Sequence, residues 1–255
     1  MSQARFAYAQ TRLQARHGLR PGEADWRRLA STGDLANYLT AARRTPLRPW
    51  IEGIPSVETS LGLESHLHQQ FRRYVEDVAH WLPVEWRASI TWIGHLADLP
   101  ALQSQLQTGT QPAWKQDDFG LGEIAGDSTV TFLDKRPGSS HAYLGKALQD
   151  GIPPYDAWFN QWQRIWPAKS RLHSGLVQLG RLVRQHLQEE QTATLPATGN
   201  AQEALATSLG AAFRRHSFKP AAACAHLGLV ALDLERLRGE LVQRALFEET
   251  TAVQS

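Results

Sequence analysis

From Ser60 to Leu82 the apolar residues Leu67, Phe71, Tyr74, Val75, Val78 and Leu82 advance by three and four, while Arg72, Arg73, Glu76 and Asp77 fall on the other side. That spacing predicts an amphipathic helix, because residues three and four apart share one face of the turn. Pro83 suits the entrance of a following helix, in which Trp86, Ile90, Ile93 and Ala97 make one stripe and Trp92, Leu96 and Leu99 a second. A helix apolar on two sides belongs between neighbours.

The same period recurs at both ends of the chain. Phe6, Ala9 and Leu13 predict a first helix that stops near Gly18, followed by a turn through Arg20, Pro21 and Gly22. Asp25 is suited to cap a short helix starting at Trp26. Gly33 and Asp34 punctuate the chain before Leu35, Tyr38, Leu39 and Ala42, and Pro46 and Pro49 should end this unit. Farther on, a helix from Tyr155 to Trp166 closes at Pro167, and Leu172, Leu176, Leu179, Val183 and Leu187 mark a long one. "QTATLPATGN" reads as a linker, Leu205, Leu209 and Phe213 as another helix, and Leu227, Val230, Leu234, Leu237, Leu241 and Ala245 as the stripe of a last one. Between about Gln103 and Ser170 the pattern lapses into a stretch rich in Gly, Asp, Thr and Pro, with one candidate strand at "STVTFLD". The pattern therefore predicts an all-α protein of antiparallel helical hairpins. Its expected divisions are a helical subdomain over 1–103, an irregular segment over 104–170 that holds a short strand or hairpin and ends in a Trp-rich helix, and a second helical subdomain over 171–255.

Composition narrows the function. With 255 residues, 42% hydrophobic and 20% charged, the chain is long enough to bury a sizeable core. Its 27 cations include 22 arginines, interspersed with 25 acids to a net charge of +2. The basic block expected of a nucleic-acid binder is absent, whereas arginine's planar fork suits protein contacts. No apolar run approaches the roughly 20 residues of a membrane span. The single cysteine, Cys224, excludes an internal disulfide and a Cys-based zinc site and fits a reducing cytoplasm.

Candidate chemistry is sparse. Glu64, His66 and His68 are the nearest approach to a metal set, and a metal-dependent hydrolase built on them is one possible reading. On a helix, however, Glu64 and His68 share a face and His66 points away. No nucleophile elbow, phosphate-binding glycine loop or zinc-protease motif occurs. Asp117 and Asp118 read as solvated loop acids, and Cys224, in an Ala-rich segment, reads as a small hydrophobe. Trp158, Trp162 and Trp166 recur every four residues. They are either core or an aromatic anchor for a partner, since tryptophan is enriched at binding hot spots.

The order of motifs adds a resemblance. The run "RFAYAQTRLQARHGLRPGEADWRRLASTGDLANYL", with Phe6, Ala7, Tyr8, Arg12, Arg16, Leu29, Leu35, Tyr38 and Leu39, resembles the start of the C-type subunit of V-type and archaeal A-type ATPases, known as the d-type subunit in eukaryotes. The helix pair from Ser60 to Leu106, with Asp98 and Leu102, is similar to that family's next segment, and Asp233, Leu237 and Arg238 resemble its closing helix. The likeness covers about residues 1–105 and 205–248.

It implies a helical, funnel-like subunit without an active site or cofactor, lying peripherally at the cytoplasmic face of the membrane. Its partners would be the central stalk subunits and the membrane rotor ring of a motor that moves protons or sodium ions. Arg12, Arg16, Arg72, Arg73, Trp158 and Trp162 are the expected partner contacts, with no small-molecule substrate. A helical adaptor serving a different complex is the alternative.

Overall fold

Three of the helices, those beginning at Glu23, Leu35 and Ser60, start where a side chain satisfies an amide at the first turn. The structure, a computed structural model, describes residues 2–55, 58–99, 150–168, 172–192 and 198–253. Helix α1 (Ser2–Gly18) buries Phe6, Ala9 and Leu13 along one stripe. Helix α2 (Glu23–Ala30) begins earlier than the expected Trp26, because Asp25 does not stand before the helix. It sits in the first turn and reaches back to accept the Gly22 N–H at 3.1 Å. Asp34 caps α3 (Leu35–Ala42) by accepting from the Asn37 N–H at 2.8 Å, and Leu35, Tyr38, Leu39 and Ala42 all point inward. Pro49 does not end the unit as expected. It occupies the first turn of the short α4 (Arg48–Ile51), where a missing N–H forfeits no helical bond.

Thr59 caps α5 (Ser60–Trp81), and its expected apolar face is buried through Leu67, Phe71, Val75 and Val78. Pro83 precedes α6 (Val84–Thr91), after which the chain tightens to a 3-10 helix over Trp92–Asp98. Both stripes of this piece are covered, with Trp86, Ile90 and Ile93 on one and Trp92 and Leu99 on the other. The second half comprises α7 (Pro154–Arg164), α8 (His173–Thr192), α9 (Thr198–Arg215) and α10 (Pro220–Val253). The protein is all-α, with no strand among the described residues. The candidate strand at 128–134 lies outside them, as do Leu102, Asp117, Asp118 and the linker positions 193–197.

Helix α10 is the axis of the molecule. Its 34 residues extend about 50 Å at 1.5 Å per residue. It touches α1, α3, α5, α6, α8 and α9. Tyr74 meets His226 and Glu64 meets Arg238, so α5 runs antiparallel to α10, while His17 beside His226 and Arg20 on Asp233 set α1 parallel to it. At the start of α10, Ala221, Ala222, Ala223 and Ala225 are fully buried, enclosed on every side. Small side chains let helices approach there. On α8, a β-carbon at Gly175 would come within 3.0 Å of the Ala221 methyl. One continuous set of buried residues runs from Phe6 to Ala245, so the amino- and carboxyl-terminal helices share a core.

Candidate functional site

Because α10 carries arginines on the sides its leucine stripe leaves free, it binds the amino-terminal helices by charge as well as by packing. The Arg20 guanidinium forks onto Asp233, with Nε to Oδ2 at 2.7 Å and a second nitrogen to Oδ1 at 2.9 Å, and also donates to the Leu229 carbonyl at 3.3 Å. Burial raises the Asp233 carboxyl above its ordinary value, and the Arg20 guanidinium partly opposes that rise. Arg236 reaches Glu23 at 2.7 Å and lies 4.6 Å over the Trp26 ring. Arg238 reaches Glu64 at 2.6 Å, and Arg244 donates to the Thr32 carbonyl at 2.9 Å. Asp233 and Arg238, which carried part of the family resemblance, thus tie the last helix to Arg20 near the amino terminus and to Glu64 on α5. Leu237 between them is fully buried.

The tryptophans form a second organised cluster. Trp92 Nε1 donates to the Trp158 carbonyl and Trp158 Nε1 to the Trp92 carbonyl, each at 3.2 Å, and Trp162 Nε1 donates to the Ser89 carbonyl at 2.7 Å. The Trp158 and Trp162 rings stack with centroids 5.2 Å apart, and Trp166 meets Trp162 edge-on at 5.1 Å. Trp158 and Trp162 are buried, at 2% and 3% exposure, so they stand on no outer face and border only the hollow described below. Their expected role as contact residues is corrected to core, because a hydrophobic ring whose single N–H already has an internal acceptor gains nothing from being outside.

Of the four arginines expected at a partner surface, Arg12, Arg16 and Arg73 are exposed and Arg72 is half-buried beside Gly94. The Arg12 guanidinium lies over the rings of Tyr8 and Trp81, at 4.9 and 5.4 Å.

A hollow of about 470 Å³ opens between α5, the 3-10 segment, α7, α8, α9 and α10. Its walls are apolar, with Phe71, Ile93, Trp158, Leu209 and Leu227 among them, and its polar margin includes Glu64 and Arg238. Those two already neutralise each other. Cys224 also lines the hollow, and burial pushes its thiol well above the ordinary range, so it stays protonated and unreactive. Such walls can accept an apolar side chain or acyl group.

The metal candidates separate. Glu64 and His68 face the hollow, while His66 turns to a shallower depression beside Gly53, Ile54 and Glu58, with its ring next to Gly53. Among the described residues no group of three or more His, Cys, Asp or Glu is placed to hold a metal ion.

Sequence reasoning missed a buried polar cluster at the centre. His226 is fully buried on α10, with Nε2 2.7 Å from the Tyr74 hydroxyl. His17 stacks on Phe213 at 4.4 Å and stands 6.1 Å from His226. Burial, with help from the nearby His17, Arg20 and Arg16, pushes the His226 pKa down to about 3, and burial pushes Tyr74 up to about 12; both are neutral. A histidine in the run "AAACAHLG" was the available signal, since such a run of small residues marks close packing all round. No family model, curated protein or solved structure matches this chain.

Proposed function

We propose that this chain is a noncatalytic helical coupling subunit of a V/A-type rotary ATPase, linking the central stalk to the membrane rotor ring during proton or sodium transport. One observation carries the reading. The two stretches that bear the family resemblance, at opposite ends of the sequence, pack on each other through Arg20 and Asp233, Arg236 and Glu23, and Arg244 and the Thr32 carbonyl. A part that passes torque must not yield, and a continuous carboxyl-terminal helix bonded to the amino-terminal helices through a close-packed core meets that demand. The reading assigns the chain no reaction and a peripheral position, with exposed Arg12, Arg16 and Arg73 available to steer partners by charge. None of the helices among the described residues is long and apolar enough to cross a membrane.

The test is affinity capture of the full chain from its native host in mild detergent. Recovery of the motor's stalk and ring subunits is the expected result. Their absence from a well-folded, well-expressed capture would remove this reading. The apolar hollow favours a second one, a helical adaptor that receives an apolar side-chain cluster from another complex. Capture of a reproducible partner set without motor subunits, lost when Leu227 is replaced by Asp but kept in Arg12→Glu, would support it.

A further inference from the structure

Two turns of the fold and the first half of α1 meet at one end of the bundle, and their exposed residues share a chemistry. Following α5 from Tyr74 to its end at Trp81, and α10 back from His226 to its start, leads to the same place. The first half of α1 lies there too. Arg5 pairs with Glu85 at the start of α6, and the Gln10 side-chain oxygen accepts from the Phe218 N–H at 2.9 Å.

Three large apolar side chains stand out from this end. Val84, in the first turn of α6, is 70% exposed, Tyr8 is 58% exposed, and Phe218, in the turn between α9 and α10, is 38% exposed. Phe218 has φ of +61°, the only positive value at a non-glycine among the described residues. A bulky aromatic in the left-handed region is strained, and here no deep burial repays it. An exposed aromatic at a position where glycine or asparagine would relax the turn points to use outside the fold.

The charge around these three is lopsided. Arg12, Arg87, Arg214, Arg215 and Lys219 are exposed and enter no ion pair among the described residues. Among the described residues the nearby acids are Glu85, held by Arg5, and Glu76 and Asp77 farther back along α5.

We infer that this end of the bundle docks directly on an anionic lipid surface, with Phe218, Val84 and Tyr8 entering the headgroup layer and the surrounding arginines and Lys219 meeting lipid phosphates. The apolar groups sit on three separate pieces of the chain, Tyr8 on α1, Val84 at the start of α6 and Phe218 in the turn before α10, rather than along one groove. A fluid interface accepts separate short insertions, whereas a protein partner needs one matching relief. Unpaired cations beside them complement an anionic leaflet, each contributing on the order of fivefold in partition. The inference is independent of the rotary-motor reading, because lipid and purified chain alone test it.

The experiment is co-sedimentation of the full chain with vesicles of phosphatidylcholine, with and without phosphatidylglycerol. The chain should pellet with the anionic vesicles, release as salt rises, and remain in solution with neutral ones. Phe218→Asn combined with Val84→Asp should lower the partition about tenfold or more. Asparagine tolerates the left-handed backbone, so thermal unfolding of Phe218→Asn should not fall below that of the parent. Arg215→Glu with Lys219→Glu should weaken anionic binding in a second way, with the apolar groups intact. A parent chain that stays in the supernatant, or variants that pellet as the parent does, would overturn the proposal. Capture by polyglutamate without any vesicle binding would overturn it in favour of an acidic protein.

Discussion

The guanidinium of Arg244 lies 4.2 Å over the ring of Tyr38 while it donates to the Thr32 carbonyl, so one side chain of α10 holds α3 and the turn before it. It also bonds Glu240 on its own helix at 2.7 Å. Arg244→Ala removes a stacked cation and leaves the Thr32 carbonyl without this donor, for an expected loss of about 2–4 kcal/mol. Lysine cannot keep both the planar stack and the fork, so Arg244→Lys should recover less than half of that. Urea unfolding of the three proteins measures it. A lysine variant as stable as the parent would show that charge alone matters here.

Trp92 and Trp158 exchange hydrogen bonds, each indole reaching the other's carbonyl. Trp158→Phe keeps an aromatic ring but leaves the Trp92 carbonyl without its donor and opens a void, at an expected cost of about 2–4 kcal/mol. Trp81 is only half-buried, and no hydrogen bond from its indole is seen among the described residues. Trp81→Phe should therefore cost under about 1 kcal/mol. Denaturation midpoints followed by circular dichroism, which does not depend on the replaced fluorophore, separate the two.

Acid should loosen the protein through His226. Its folded pKa, about 3, lies below the ordinary 6.5, so the unfolded chain binds the proton more readily. Stability from this group is complete above pH 6.5 and falls as pH drops from there toward 3, by up to about 1.4 kcal/mol per unit. Burial also lowers His17, which adds to the loss, while the raised Asp233 acts in the opposite direction at lower pH. His226→Gln keeps an acceptor for Tyr74 without a titrating ring, and its melting temperature should change less between pH 7 and pH 5 (about the span of the histidine titration). Parallel profiles for parent and variant would assign the acid sensitivity elsewhere.

Two glycines should respond in opposite directions. A β-carbon at Gly180 would overlap the Phe159 ring, so Gly180→Ala must displace that ring and should destabilise by about 1–3 kcal/mol. Gly239, exposed within α10, has nothing within 4 Å of the added carbon. Gly239→Ala should stabilise by about 0.5–1 kcal/mol, since it stiffens only the unfolded chain. Thermal melts check both signs.

The helices were legible because each buries one stripe against one neighbouring surface. Leu35, Tyr38, Leu39 and Ala42 are the clearest case, all four fully buried as their spacing implies. The α6 segment, striped on two sides, was readable as a helix between neighbours. What a stripe does not encode is which partner covers it. Nothing in the sequence links Arg20 to Asp233 or Trp92 to Trp158, because those contacts join positions far apart in the chain. The start of α10 was readable as helix, but not which of its sides is covered. Five small residues and a histidine have no polar side, so periodicity has nothing to contrast. The apolar hollow is likewise a product of six elements meeting, and Trp158 was ambiguous between core and anchor until its N–H was seen to have an acceptor inside.

The helix that organises this core comes after every element it organises. During synthesis α1, α3 and α5 leave the ribosome before the helix that covers part of their apolar faces. Maturation must therefore await α10, and a chain stopped before Pro220 should be held by chaperones or aggregate rather than persist as a half-formed body.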